Sequence, residues 1–187
     1  RWDRVLISLT DITARKKAEA YLEYLGRHDA LTGLRNRAFF SDEVNRLERR
    51  GPWPVSVLVV DVNDLKSIND EVGHAGGDAL LRRVGEVLRK AIESPATASR
   101  IGGDEFAILL PGIDERGCEA LVEQMLELQA LNNQFNAGST PMSLSIGRAT
   151  SQGQERIESV LHRADEQMYD TKRAFYAKQG RDRRNQT

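Results

Sequence analysis

The run PVSVLVVDV at 54–62 limits what this chain can fold into more than any other segment. It is Val-rich and nearly unbroken by polar residues until Asp61. A strand with one wet face alternates apolar and polar residues, so a continuous run of this length predicts a central strand covered on both faces. Such a strand needs apolar layers on both sides. The chain can supply them: 187 residues, 40% apolar and 29% charged, fit one domain plus a short extra segment. The same run raises a chemical question. A carboxylate at the end of a buried strand is costly unless something compensates it.

The other elements read outward from that strand. Residues 4–9, RVLISL, read as a strand end. Thr10 or Asp11 can cap a helix running to about Arg27. On it Ala14, Ala18, Tyr21 and Leu25 are spaced 4, 3 and 4. That spacing suits either a coiled-coil seam or a linker helix packed on its own domain. HDALTGLRNRAFF gives a Thr-Gly turn and then a helix over 37–49, which GPW ends. NDLKSINDEVGHAGGD reads as a short helix and a loop. Residues 78–93 form an amphipathic helix. ASRIGGDEFAILL at 98–110 is strand, Gly-Gly turn, strand, hence a hairpin. A helix over 114–131, an alternating strand in PMSLSIGRAT and a last helix over 156–177 complete the order. The tail QGRDRRNQT is basic and predicted to fray. The order predicts an α+β fold, a ferredoxin-like βαββαβ sandwich with a central antiparallel sheet, helices on one face, and additions.

Composition excludes some functions. A net charge of −1 gives no general basic surface for nucleic acid or an anionic membrane. No apolar run reaches the ~20 residues of a membrane span, and no signal peptide is visible. The one cysteine, Cys118, cannot form an internal disulfide, which predicts a reducing, cytoplasmic setting. It reads as a small residue on a helix face rather than a reactive thiol. The chain opens at Arg1 inside a strand, so it is expected to be a piece of a larger protein, whose membrane status stays open.

Two adjacent carboxylates, Asp104 and Glu105, follow Gly102 and Gly103 in the hairpin turn. If that hairpin pairs beside the central strand, they converge with Asp61. Like charges repel unless a cation neutralises them, and hard oxygen ligands suit Mg²⁺ or Mn²⁺, which also takes substrate phosphates. The residues by themselves equally fit solvated turn carboxylates. The glycines can supply a positive φ, admit a ligand close to the backbone, or both. Beyond Asp61, Lys66 and exposed backbone N–H groups suit phosphate. Asn69 and Asp78 flank the loop GHAGGD. An amide and a carboxylate there can read a guanine edge, or serve as loop and cap residues. His74 reads as structural. Lys172 can reach phosphate or remain a solvated helix lysine.

These pieces occur in the order of a known family. DALTGLRNR at 29–37, DVNDLKSINDEVGHAGGDALL at 61–81, RIGGDEF at 100–106, SIG at 145–147 and ADEQMYDTK at 164–172 resemble the GGDEF domain of diguanylate cyclases. The resemblance implies condensation of two GTP into cyclic di-GMP and two pyrophosphates, on a fold similar to nucleotide cyclase and polymerase palms. It implies that Asp61, the Val62 carbonyl and Asp104 hold Mg²⁺ or Mn²⁺, with Glu105 beside them, and that Asp104 matches the position credited as general base. Asn69 and Asp78 match the guanine readers. Lys66, Lys172 and the backbone N–H groups of Asp64 and Leu65 match the triphosphate contacts. Each domain would hold one GTP, so the active state would be a homodimer. The start of the chain resembles the end of a PAS sensor. The implied division is a PAS remnant at 1–11, a linker helix at 12–27, the GGDEF domain at 28–181 and a basic tail at 182–187.

Two departures from the family pattern stand out. The inhibitory Arg-x-x-Asp site for product falls on Glu93 and Ala96, so product feedback there is expected to be missing. The arginine expected four residues after Lys172 is Tyr176, for which Arg173 or Arg181 could substitute. The alternative implied function is a catalytically inactive domain that binds GTP and regulates a neighbour.

Overall fold

A computed structural model describes residues 11–178 and 180. The expected strand at 4–9 and the tail at 182–187 lie outside the described residues. The elements are α1 (Thr13–Arg27), α2 (Arg37–Arg50), β1 (Val55–Val62), α3 (Leu65–Val72), α4 (His74–Ala91), β2 (Thr97–Arg100), β3 (Glu105–Pro111), α5 (Glu115–Phe135), β4 (Leu144–Thr150) and α6 (Ile157–Lys178).

The four strands pair antiparallel in the order β2-β3-β1-β4, the arrangement expected of a ferredoxin-like βαββαβ core. Every residue of β1 is buried. Its alternating side chains feed two cores. Leu58, Val60 and Val62 pack with Leu80, Val84, Leu88 and Met125 of α4 and α5. Val55, Val57 and Val59 pack with Phe40 and Leu47 of α2 and with Ile157, Val160 and Met168 of α6. Helices therefore cover both faces, as the unbroken apolar run predicts. The second layer comes from α2 and α6, the elements outside the βαββαβ core.

Local signals start several helices. Asn36 accepts a hydrogen bond from the Phe39 N–H, and Asp114 one from the Gly117 N–H, satisfying first-turn donors of α2 and α5. Helix α4 begins at His74, four residues earlier than its apolar pattern predicts, so HAGG is helical rather than loop. Glycine costs a helix about 1 kcal/mol against alanine. Here the cost has a use, because a Cβ on Gly77 would fall 2.0 Å from Asn69 Oδ1 of α3. The glycine lets α3 and α4 cross closely.

Helix α1 buries none of its residues. Tyr21 and Leu22 are 62% and 67% exposed, while the end of the helix is tied to the domain by the Asn36 side chain, which donates to the Leu25 carbonyl. No described helix is long and apolar enough to cross a membrane.

Candidate active site

The site is built where β1 ends and the β2–β3 turn meets it. The register pairs Asp61 with Glu105 on one side and with Ser145 on the other. Directly opposed residues share a face, about 5 Å apart at Cβ. Asp61 and Glu105 therefore point toward the α2–α6 layer. Asp104 lies one residue earlier in the turn, and its carbonyl accepts the Val62 N–H at 3.0 Å. The hairpin thus brings the three predicted carboxylates to one end of the sheet.

Asp61 is 3% exposed, and its Oδ1 lies 2.5 Å from Lys172 Nζ. Oδ1 is thus a buried carboxylate oxygen whose close partner among the described residues is the Lys172 ammonium. Burial pushes the Asp61 carboxyl above its ordinary value; the Lys172 ammonium opposes this, and Asp104 and Glu105 add to it. Lys172 is itself buried. It continues the inward stripe of α6 through Ile157, Val160, Ala164 and Met168. A lysine on an apolar stripe needs a carboxylate, and Asp61 is that partner.

Hard oxygen donors, one of them a buried carboxylate neighboured by two further carboxylates, fit Mg²⁺ or Mn²⁺. Among the described residues, no three His, Cys, Asp or Glu side chains already form a metal cluster. That suits an ion held by one or two carboxylates plus substrate phosphates. Cys118 is no candidate ligand, because burial pushes its thiol up to about 11.

The two glycines of the turn behave differently from the positive-φ expectation: neither has a positive φ. A Cβ on Gly102 would fall 2.5 Å from Glu105 Oε2, so Gly102 makes room for that carboxylate. Gly103 faces open space.

Of the expected base readers, Asn69 lies on α3 with its Oδ1 against Gly77 of α4, and half-buried Asp78 is the next residue of α4. Lys66 is exposed on the first turn of α3. Asp64 and Leu65 lie at the start of that helix, where backbone N–H groups point outward. The Asp64 N–H donates to the Tyr176 hydroxyl at 3.3 Å. Of the possible substitutes for the missing arginine, Arg173 is exposed and 3.9 Å from Asp170, and Arg181 lies outside the described residues.

Sequence reasoning missed the residues that brace the turn. Arg100 donates to the Gly103 carbonyl through Nη2 at 2.7 Å and through Nε at 3.2 Å. Its Nη1 pairs with Asp29 at 3.2 Å. Asp29 also accepts the Thr32 N–H and hydroxyl at 2.9 and 2.7 Å. This physically links the motifs DALTGL and RIGGDEF. The available signal was an arginine at the end of a strand, directly before the Gly-Gly turn. Burial pushes the Asp29 carboxyl up, but the Thr32 hydrogen bonds and Arg100 outweigh it and hold it below its ordinary 3.8. Its contribution to stability is therefore full above that value and is lost as pH falls below it. Arg100→Ala is expected to cost about 1–2 kcal/mol at neutral pH and less in acid. Melting temperatures measured across pH check this; an equal loss at every pH would contradict it.

Three comparisons bear on this geometry. Residues 26–178 match the family model described as "Diguanylate cyclase, GGDEF domain". The chain is 35% identical over 150 residues to the diguanylate cyclase DgcS of Shewanella oneidensis, covering 77% of this chain and 49% of that one. It is 36% identical over 160 residues to DgcP of Pseudomonas aeruginosa, covering 83% and 23%. The chain thus spans half or less of the length of these relatives. The coiled coil and GGDEF domain of DgcB from Caulobacter crescentus, solved with c-di-GMP, has a similar fold: TM-score 0.75, 24% identity, covering 91% of this chain and 90% of that one. On its family model, its relatives and its fold, the chain belongs to the GGDEF-domain family of diguanylate cyclases.

Proposed function

We propose that this domain condenses two GTP into cyclic di-GMP and two pyrophosphates, with Mg²⁺ or Mn²⁺, as a dimer of domains. The observation that supports this most is Asp61. A buried carboxylate, held by the Lys172 ammonium, stands in register with Glu105 at the end of the strand beside the GGDE turn. Asp61, the Val62 carbonyl and Asp104 would hold the metal, which would supply Lewis-acid stabilisation of the phosphates and ease loss of the 3′-OH proton. Glu105 adds negative charge beside them.

The chain's other residues bind and orient. The Asp78 carboxylate accepts from the ring N–H and exocyclic amine of guanine, and the Asn69 amide meets the same edge. Lys66 and the first-turn N–H groups of α3 neutralise the triphosphate. Lys172, paired with Asp61 in the protein alone, would add a further positive charge toward the triphosphate. Each domain aligns one GTP, so each 3′-OH attacks the α-phosphate on the facing domain and pyrophosphate leaves, twice per product. The exposed face of α1, with Tyr21 and Leu22, suits the pairing of two domains.

Product feedback at the expected Arg-x-x-Asp position is absent in this reading. Glu93 and Ala96 there line a cavity of about 390 Å³ with Ile92, Pro95 and Leu121. A glutamate repels the phosphates of cyclic di-GMP, where an arginine would attract them.

A second reading is a domain that binds GTP without turning it over, with PAS input or another neighbour as its context. The neutral Tyr176 in place of a cation favours it. Incubation with GTP and Mg²⁺ or Mn²⁺, with dimerisation forced by a fused zipper, separates the two. Cyclic di-GMP and pyrophosphate in a 1:2 ratio are expected. Saturable GTP binding with no product would select the second reading.

A further inference from the structure

We propose that Tyr176 is a positioning residue for the phosphate cradle: from the end of α6 it holds the start of α3 in phosphate-binding shape. This rests on the GTP-binding reading above. Three successive backbone N–H groups, from the last residue of the central strand onward, are each tied to a different part of the chain. Val62 donates to the Asp104 carbonyl at 3.0 Å, Asn63 to the Ser143 carbonyl at 2.9 Å, and Asp64 to the Tyr176 hydroxyl at 3.3 Å. The segment is thus fixed in turn by the GGDE turn, by the lead into β4, and by α6.

Asp64 is where fixing matters most. It is the one non-glycine described residue with a positive φ, at 60°. That left-handed conformation is unfavourable for a residue with a Cβ and persists where surrounding contacts impose it. Its side chain makes no capping hydrogen bond to α3. The left-handed residue is tied from outside the helix through its backbone N–H, which donates to the Tyr176 hydroxyl. Lys172 and Tyr176 are one turn apart on α6 and lie on one face. Lys172 pairs with Asp61 at the end of β1, and Tyr176 bonds Asp64 three residues on. One helix face thus aligns both the carboxylate and the backbone donors of the site.

The assignment also redistributes the phosphate contacts. The Asp64 N–H is engaged with Tyr176, so the outward donors left to a triphosphate are those of Leu65, Lys66 and Ser67, together with the Lys66 ammonium.

Tyr176→Phe removes the hydroxyl and keeps the ring, which packs edge-on to Phe175 with centroids 5.3 Å apart. Two measurements on the full chain test the proposal. Amide hydrogen exchange at Asp64 is expected to accelerate in the variant with no nucleotide present. In calorimetric titrations with Mg²⁺, GTP is expected to bind about five- to tenfold more weakly, while GMP changes less than twofold. A merely structural loss would weaken both nucleotides alike. Unchanged exchange at Asp64 would overturn the proposal whatever the nucleotide result. Unchanged or tighter GTP binding by the variant, with the parent binding GTP normally, would overturn it while leaving the cyclase reading standing. If the parent itself binds no GTP, the cyclase reading falls and this proposal with it.

Discussion

Asp61→Asn is expected to abolish measurable cyclic di-GMP synthesis and to destabilise the domain, whereas Asp104→Asn is expected to abolish synthesis alone. The difference follows from burial. Asp61 and Lys172 form an ion pair with side chains 5% and 9% exposed. Removing one partner of such a pair leaves a buried charge uncompensated, which costs about 3–5 kcal/mol. For a domain of this size that is a fall of roughly 10 °C in melting temperature. Adding Lys172→Met to Asp61→Asn removes the stranded ammonium and is expected to restore most of the stability but none of the turnover. Asp104 is half-buried in the turn and makes no ion pair among the described residues. Its replacement by the isosteric amide is expected to move the melting temperature by no more than about 2 °C. The loss of a metal-binding charge at several kcal/mol corresponds to roughly a 10³-fold slower turnover. Product analysis beside thermal unfolding reads both quantities. An Asp61→Asn protein as stable as its parent would contradict the role given to the ion pair. An active Asp104→Asn protein would sink the site assignment.

How much of this was legible in the chain depends on the range of each interaction. The Val-rich run gave the central strand and its two covered faces, because a strand's side-chain parity is written in consecutive residues. The same parity puts Asp61 and Glu105 on one face once the hairpin is placed beside β1. The identity of the second layer was not legible. Whether α2 and α6 cover the first helices' face or the opposite one depends on how connections route across the sheet, and helix periodicity is silent on routing. The early start of α4 was hidden for a related reason. Gly76 and Gly77 read as loop by propensity, but a close crossing with Asn69 decides in favour of helix. Lys172 was legible as a candidate phosphate ligand. Its pairing with Asp61 had a signal, a lysine four residues beyond Met168 on an apolar stripe, that becomes decisive only when β1 is known to lie beneath α6. Tyr176 could be seen to replace an arginine, while its bond to Asp64 joins residues 112 apart in the chain. Arg100 and Asp29, 71 apart, follow the same rule.

The contact that puts α6 over the site also makes the strongest claim on the fold. Gly147 of the segment SIG lies on β4 directly under α6, where a Cβ would fall 2.0 Å from the Ala164 carbonyl oxygen and 2.2 Å from the Met168 nitrogen. Both neighbours are backbone atoms inside a helix, so no rotamer change can relieve the overlap. The helix must move away by more than an ångström, and interiors packed to crystal-like density transmit such a shift rather than absorb it. Gly147→Ala is therefore expected to cost about 3 kcal/mol, at the upper end for overpacking. Gly147→Val should leave the domain largely unfolded near 37 °C. Any folded Gly147→Ala protein should turn over GTP poorly, because α6 carries Lys172 to Asp61 and Tyr176 to Asp64. The companion substitution is Gly103→Ala. Gly103 has open space around it and no positive φ, so an added methyl costs the fold almost nothing. If the space over the turn is where nucleotide lies, Gly103→Ala weakens GTP binding at unchanged melting temperature. Denaturant unfolding and GTP titration of the two alanine variants give opposite patterns on this account. A Gly147→Ala protein with parental stability would show that α6 does not lie against β4 at backbone contact.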